Sequence, residues 1–318
     1  MENEVTKIAD VIQPELFTQY VIDETTEKSE IMMAGVVEND PLLNQLVTGG
    51  GTVLTMPKWN DLGGKSQVLS DQREIEINKI TSKSELATVL IRANAWGAHE
   101  LAGCLAGSDP MKAIVSRVSD WWVRDEKSNI MSILNGIFAS DSMSGLVYDG
   151  SASKISGEMV LDAKQLMGDA SDLLTMVYMH SATFTELQKQ NMIQFIPVSE
   201  SKIQIPTYLG YRVVVDDSAP YSEGVYTSYL LSKGCIKRGT GVPASLTPTE
   251  TDRDSLGSTD ILINRQAKVL HPRGISWVGA GKIADATPSD AELATGTNWN
   301  RVADIKKIGI VKMTHKLA

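Results

Sequence analysis

An α+β fold organised around one long helix is what this sequence predicts, and three patterns carry that reading. Apolar residues recur at spacings of three and four across residues 111–138. Short β-prone runs bounded by Gly, Pro and Asp lie on both sides of that stretch. Helical and strand patterns then mix from residue 156 to the end, with no internal repeat.

Composition sets the outer limits. The chain has 318 residues, enough for about two domains at ~150 residues each. Hydrophobic residues make up 42% and charged residues 22%, so a sizeable core can be buried. Net charge is −9, from 39 acidic and 30 basic residues, and Lys306-Lys307 is the longest purely basic run. That balance excludes a dedicated nucleic-acid binder, which needs a clustered basic face. Beside DNA, such a chain encloses without gripping. The acidic surplus also keeps concentrated subunits soluble.

Cys104 and Cys235 stand 131 positions apart, in apolar surroundings and without a C-x-x-C pair. They read as buried, reduced thiols. The Met-Glu-Asn-Glu start has no basic region followed by an apolar core, and no run approaches the ~18 apolar residues of a membrane span. The expectation is a reducing cytoplasm, or something assembled there.

Pro14 suits a helix start, and Leu16, Phe17, Tyr20 and Val21 form one apolar stripe that fades into polar residues 23–30 before Gly35. This is half an amphipathic helix, which reads equally as an arm in search of a partner surface or as an ordinary helix packed on its own domain. Gly49-Gly50-Gly51 reads as a hinge or turn; it opens the β-prone run 52–57, whose Pro57 argues for an edge strand. A second β-prone run spans 86–92. The ~25 polar residues between the two runs make an unusually long connection, and a hairpin so polar needs a neighbour to lie on.

Asp109-Pro110 then opens the long helix, with a capping carboxylate and Pro at the first turn. Its stripe is Met111, Ile114, Val115, Val118, Trp121 and Trp122, then Ile130, Ile133, Leu134, Ile137 and Phe138, interrupted by polar 125–128. About 30 residues give ~45 Å of helix. Trp121 and Trp122 are expected to flank its core-facing side. Further on, a helix follows Ser156 and a strand covers 173–179. Thr183 to Glu186 has capping-box spacing. Strands are expected at 211–215, 225–236, 259–270 and 307–313, with an exposed excursion at 237–257 and a loop at 288–301.

Candidate chemistry is sparse. His180 and Ser181 precede the pair Asp216-Asp217, yet no G-x-S-x-G elbow accompanies them, and Ser181 reads better as a helix cap. The four histidines, at 99, 180, 271 and 315, have no metal-ligand spacing, and Asp216-Asp217 fits turn chemistry. Gly49-Gly50-Gly51 lacks the Lys-Ser/Thr of a phosphate loop, and Gly239-Thr240-Gly241 reads as a hinge or turn. No catalytic, cofactor or metal residue is assigned.

The element order is informative as a whole. Pro14 to Tyr20, Met56 to Leu62, Ala106 to Met111, Tyr178 to Ser181, Tyr208 to Asp217 and Leu270 to Trp277 stand in the sequence of signatures of tailed-phage major capsid proteins. The chain resembles that family over about residues 10–315. The resemblance implies the Hong Kong 97-type capsid fold. Its parts would be an N-arm and lead-in (1–47), an extended E-loop hairpin (48–92), a P-domain with spine helix at about 109–139 (93–155), an A-domain (156–270), and a return to the P-domain with a C-terminal strand (271–318). It further implies hexamers and pentamers closing into an icosahedral shell around double-stranded DNA, with a scaffolding protein and a portal as partners, in a virion assembled in the host bacterial cytoplasm. No membrane is involved. Phe17 and Tyr20 of the arm, and Trp59, Asn60, Asp61, Leu62, Arg73 and Glu74 of the loop, are the expected intersubunit contacts. An encapsulin-like nanocompartment is the nearest alternative reading. A hydrolase or metal enzyme using His180 and Asp217 is the remote one.

Overall fold

The computed structural model describes residues 21, 34–59, 65–68, 74, 77–80, 82–101, 110–197 and 204–317. Strands dominate, and two sheets meet along one helix. The first sheet has five strands: β1 (Val37–Asn39), β4 (Leu90–His99), β12 (Ile236–Gly241), β13 (Thr249–Asp254) and β14 (Thr259–Pro272). β14 is its axis. β13 and β12 follow one another along one edge of β14, while β4 pairs along the other from Thr259↔His99 to Lys268↔Leu90. The second sheet has eight strands. Its central run places β17 (Ile310–Lys316), β11 (Val225–Ser232), β6 (Leu174–Met179) and β9 (Tyr211–Val215) side by side.

The predicted long helix is present but broken. Helix α2 (Pro110–Val115) ends in a turn, and α3 (Val118–Phe138) begins beyond it. Two local bonds explain the break. The Ser116 hydroxyl donates back to the Ala113 carbonyl at 2.9 Å, and the Arg117 N–H reaches the Ile114 carbonyl three residues back instead of the one four back. Flanking Val115 and Val118 are stiff, β-branched residues that resist a relaxed helical path. The capping residue Asp109 lies outside the described residues.

The two ends of α3 pack differently. Val118 and Trp122 join Met111, Leu262 and Val21 in a small cluster. Ile130, Ile133, Leu134 and Ile137 enter the main core with α4 (Gly157–Gln165) and the central strands of the larger sheet. Trp122 is buried and donates its indole N–H to Asn264 at 2.7 Å, whereas Trp121 is only half-buried and meets Trp96 edge-on.

Between these ends, what sequence reads as a polar interruption is a polar clasp. Glu126 is 1% exposed and meets Arg238 of β12, 2% exposed, through two bonds of 2.8 and 3.1 Å. Asp125 pairs with Lys268 of β14 at 2.7 Å, and Lys127 with Asp216, after β9, at 2.5 Å. Burial of Asp216 opposes its ionisation, but Lys127 and Ser218 outweigh it and hold the carboxyl below its ordinary range.

Several strand expectations shift. The run 225–236 splits into β11 and β12 at a turn where Gly234 takes φ +63°. The excursion expected at 237–257 instead holds most of β12 and all of β13, because β14 supplies partners for both. Gly239 and Gly241 are strand residues, not a hinge. Helix α1 (Pro41–Thr48), capped by Asp40, lies so close that a Cβ at Gly239 would stand 2.5 Å from the Leu43 Cβ. The expected capping box at Thr183 is absent: α5 (Ser181–Lys189) starts earlier, capped by His180. A true capping box sits instead in the predicted loop at 288–301, where Ser289 and Glu292 open α6 (Asp290–Leu293). The arm helix, with Leu16, Phe17 and Tyr20, lies outside the described residues; Val21 alone is described, helical and buried.

Two expectations about stability follow. Arg238→Met should cost about 3–5 kcal/mol in subunit denaturation, since it strands the Glu126 carboxylate in the interior. The double variant Glu126→Leu/Arg238→Met should recover most of that loss. His315 supplies the second. Burial lowers its imidazole to about 4 from an ordinary 6.5, so the unfolded chain binds the proton first. Its contribution is complete above pH ~6.5 and declines by about 2 kcal/mol between pH 7 and pH 5. His315→Leu should flatten the stability curve over that window.

Candidate intersubunit surfaces

The feature most in need of an outside partner is a two-stranded ribbon. β2 (Val53–Trp59) and β3 (Ser82–Thr88) pair antiparallel in full register, from Val53↔Thr88 to Trp59↔Ser82. Among the described residues they join no other sheet. Pro57 is tolerated there because the other edge of β2 needs no donor. The second strand is set earlier than the 86–92 run suggested; that run is divided between the ribbon and β4 by the sheet's claim on Leu90 onward.

Only the ribbon's base is anchored. Leu54 and Ala87 are buried with Val89, Leu43, Val47, Ala267 and Val269. The Leu86 N–H donates to the Ser276 hydroxyl at 2.8 Å, and the Gly274 N–H to the Glu85 carboxylate at 3.4 Å. The same carboxylate oxygen faces the His271 imidazole at 3.4 Å, with both groups buried. Toward the tip, exposure is nearly complete: Val68 is 84% and Ile77 94% exposed. A lone two-stranded ribbon is marginal in water, and these apolar side chains find no cover on their own body.

Of the residues expected at subunit contacts, Trp59 ends β2 opposite Ser82, and Glu74 is exposed within the connection. Phe17, Tyr20, Asn60, Asp61, Leu62 and Arg73 lie outside the described residues. Cys235 is fully buried, which pushes its thiol up to about 12; Cys104 lies outside the described residues.

The His180 region is assembled for structure. The His180 Nδ1 accepts the Ala182 N–H at 3.0 Å as the cap of α5, a role the sequence assigns to Ser181. The lone pair engaged in that bond leaves no Nδ1 proton for Asp217, 3.7 Å away. Asp217 instead accepts from Ser181, whose bonds hold its carboxyl below the ordinary range. Among the described residues no group of three or more His, Cys, Asp or Glu side chains is placed to hold a metal ion, and no helix is long and apolar enough to cross a membrane.

Known proteins align with this architecture over most of its length. The Gp13-like family, described as major capsid protein 13-like, matches residues 127–310. The major capsid protein of Bacillus phage SPP1 is 46% identical over 322 residues, covering 98% of each chain. Among solved structures, the capsid of Ralstonia phage GP4 superposes with a TM-score of 0.61 at 8% identity, over 92% of this chain and 90% of that one. The capsid of cyanophage Pam1 gives 0.57 at 11% identity, over 93% and 92%.

Removing the Glu85 carboxylate should loosen the ribbon selectively. Glu85→Ala leaves the Gly274 N–H and His271 without their acceptor, at a cost of about 1–3 kcal/mol. Hydrogen exchange should quicken at amides 83–88 while α3 stays protected. Uniform exchange across both would argue against a local clamp.

Proposed function

The chain belongs to the major capsid protein 13-like family, as a tailed-phage major capsid protein of the Hong Kong 97 fold, and from that premise we propose how it builds an icosahedral shell. Copies associate as hexamers and pentamers around their A-domains. The ribbon is the E-loop, at about residues 48–92, and lies across the spine helix of a neighbouring copy. Residues 1–47 comprise an N-arm that runs beneath adjacent subunits and its lead-in to the P-domain, which contains β1 and most of α1. α2 and α3 are the spine of the P-domain. Pairing of β12, β13 and β14 with β4 supports grouping these strands with the spine, which makes the A-domain narrower than residues 156–270.

The observation that supports the ribbon's role is its missing cover: two strands anchored at one end, with Val68 and Ile77 bare at the other. Contact with a neighbour supplies the third layer that such a ribbon lacks. Each contact is modest, and many linked contacts per subunit give avidity without a single tight site. Phe17, Tyr20, Trp59, Asn60, Asp61, Leu62, Arg73 and Glu74 are the residues proposed to meet adjacent copies. Double-stranded DNA is the content, met non-specifically by a chain of net charge −9. A separate scaffolding protein and a portal are the proposed assembly partners, in the host bacterial cytoplasm. The chain works by assembly and not by catalysis, consistent with the His180 imidazole being engaged as a helix cap.

Deleting residues 63–72 should leave the melting temperature of the soluble subunit nearly unchanged and abolish closed particles in electron micrographs. Normal shells from that deletion would refute the loop's role.

A further inference from the structure

The most exposed large apolar side chain on the described surface belongs to neither the ribbon nor the arm. Leu256, 99% exposed, stands at the tip of the β13–β14 hairpin. Its turn is fixed from within. The Asp254 carboxylate accepts the N–H groups of Leu256 at 3.1 Å and Gly257 at 3.0 Å, which holds the leucine outward. The adjoining Arg253 is tied back onto Glu100 and Asp260. What the tip presents is therefore a leucine flanked by Asp252 and Asp254, both exposed. A single exposed leucine is ordinary on a protein surface; what sets this one apart is a turn that fixes it outward beside two exposed carboxylates.

A receptor of matching character lies on the same molecule. Where α2 gives way to α3, Trp96, Ile114, Val118 and Trp121 line a groove of about 350 Å³, rimmed by Arg117 and Arg124. The two tryptophans meet edge-on at 5.5 Å. Both arginines are exposed, and neither has an ion-pair partner among the described residues. The groove straddles the helix break, with α2 contributing Ile114 and α3 contributing Val118 and Trp121. The knob cannot fill the groove of its own copy. Trp96 pairs opposite Leu262, and Leu256 lies six residues from it, beyond the strand end at Thr259 and roughly 15–20 Å away.

We propose that the β13–β14 hairpin tip of one copy docks in the Trp96–Trp121 groove of a second copy, Leu256 seated between the aromatic rings and Asp252 facing Arg117 and Arg124. The inference rests on the reading that the chain assembles with itself. It adds a head-to-tail contact separate from the ribbon, made by two different surfaces of each subunit, so that a ring of copies can close. The apolar anchor supplies holding strength, and the opposed charges set orientation and partner choice.

The full-length protein tests this under conditions in which the wild type forms shells; a wild type that forms none even when co-expressed with its phage's scaffolding protein refutes the assembly reading itself. Leu256→Asp should leave the melting temperature unchanged, because the side chain touches nothing in the subunit, and lower the yield of closed particles at least tenfold. Leu256→Met should assemble like the wild type. Arg124→Glu should impair assembly, and Asp252→Lys in the same chain should restore part of it. Particles from the double variant Leu256→Cys/Ala113→Cys should give an intersubunit disulfide band that neither single variant gives. Wild-type shell yields from Leu256→Asp would overturn the proposal. So would loss of shells without the paired-cysteine band, since the groove would then be filled by another partner, such as the chain's own amino-terminal segment.

Discussion

Glu126 sits on the apolar face of α3, four residues after Trp122 and four before Ile130, where the helix would be expected to carry leucine. The carboxylate survives there only because Arg238 meets it with two bonds and comparable burial. A buried pair of this kind adds little net stability compared with an apolar pair of the same shape. Its effect is to forbid alternatives. The helix cannot slide by a turn along the first sheet without leaving two charges unpaired in the interior. Asp125–Lys268 and Lys127–Asp216 extend the same constraint to β14 and to the end of β9. Three consecutive residues thus fix one helix against both sheets, and the relative position of everything outside them follows.

That constraint explains why the surfaces can be so sparsely anchored. The body is rigid where α3 crosses it, with the main core on one side and the Trp122 cluster on the other. The ribbon leaves this body from a small core of its own, built by α1, Leu54, Ala87 and Val269. Gly239 permits α1 to lie close enough to close that core. A rigid body with a thin, base-anchored ribbon places its unsatisfied apolar surface at a defined distance and direction.

Much of this was legible in the sequence, and the gaps have physical causes. The stripe from Met111 to Phe138, the strand at β6, the helix after Ser156 and the isolated ribbon all announce themselves by period and turn chemistry. Helix α1 is not among the expected elements, although Asp40-Pro41 repeats the signal of Asp109-Pro110, because its shortness hides its apolar face. The break at Ser116 depends on one hydroxyl choosing a backbone carbonyl, which spacing does not reveal. β12 and β13 read as an excursion because their polar residues gain strand character only from pairing with β14, so context overrode propensity. Glu126 itself was a readable clue: a carboxylate in phase with a buried stripe must have a partner. Which cation answers it, 112 positions away, is a matter of tertiary structure.

The division of labour between interior and exterior charges follows from the same physics. Interior charges are paired one to one, the loss of either partner is costly, and together they specify one conformation of the subunit. Exterior charges on the chain are numerous and net acidic, at −9, so free copies repel one another weakly at long range. A contact between copies must therefore place opposite charge locally or bury apolar surface, and must do so at several points at once. Exposed apolar side chains at Val68, Ile77 and Leu256 suit that requirement, because among the described residues each stands alone on a projecting element. Single exposed anchors bind weakly as solitary events and strongly when geometry engages them together. The rigidity imposed at Glu126 supplies that geometry, which makes a buried ion pair far from any surface a determinant of how the surfaces meet.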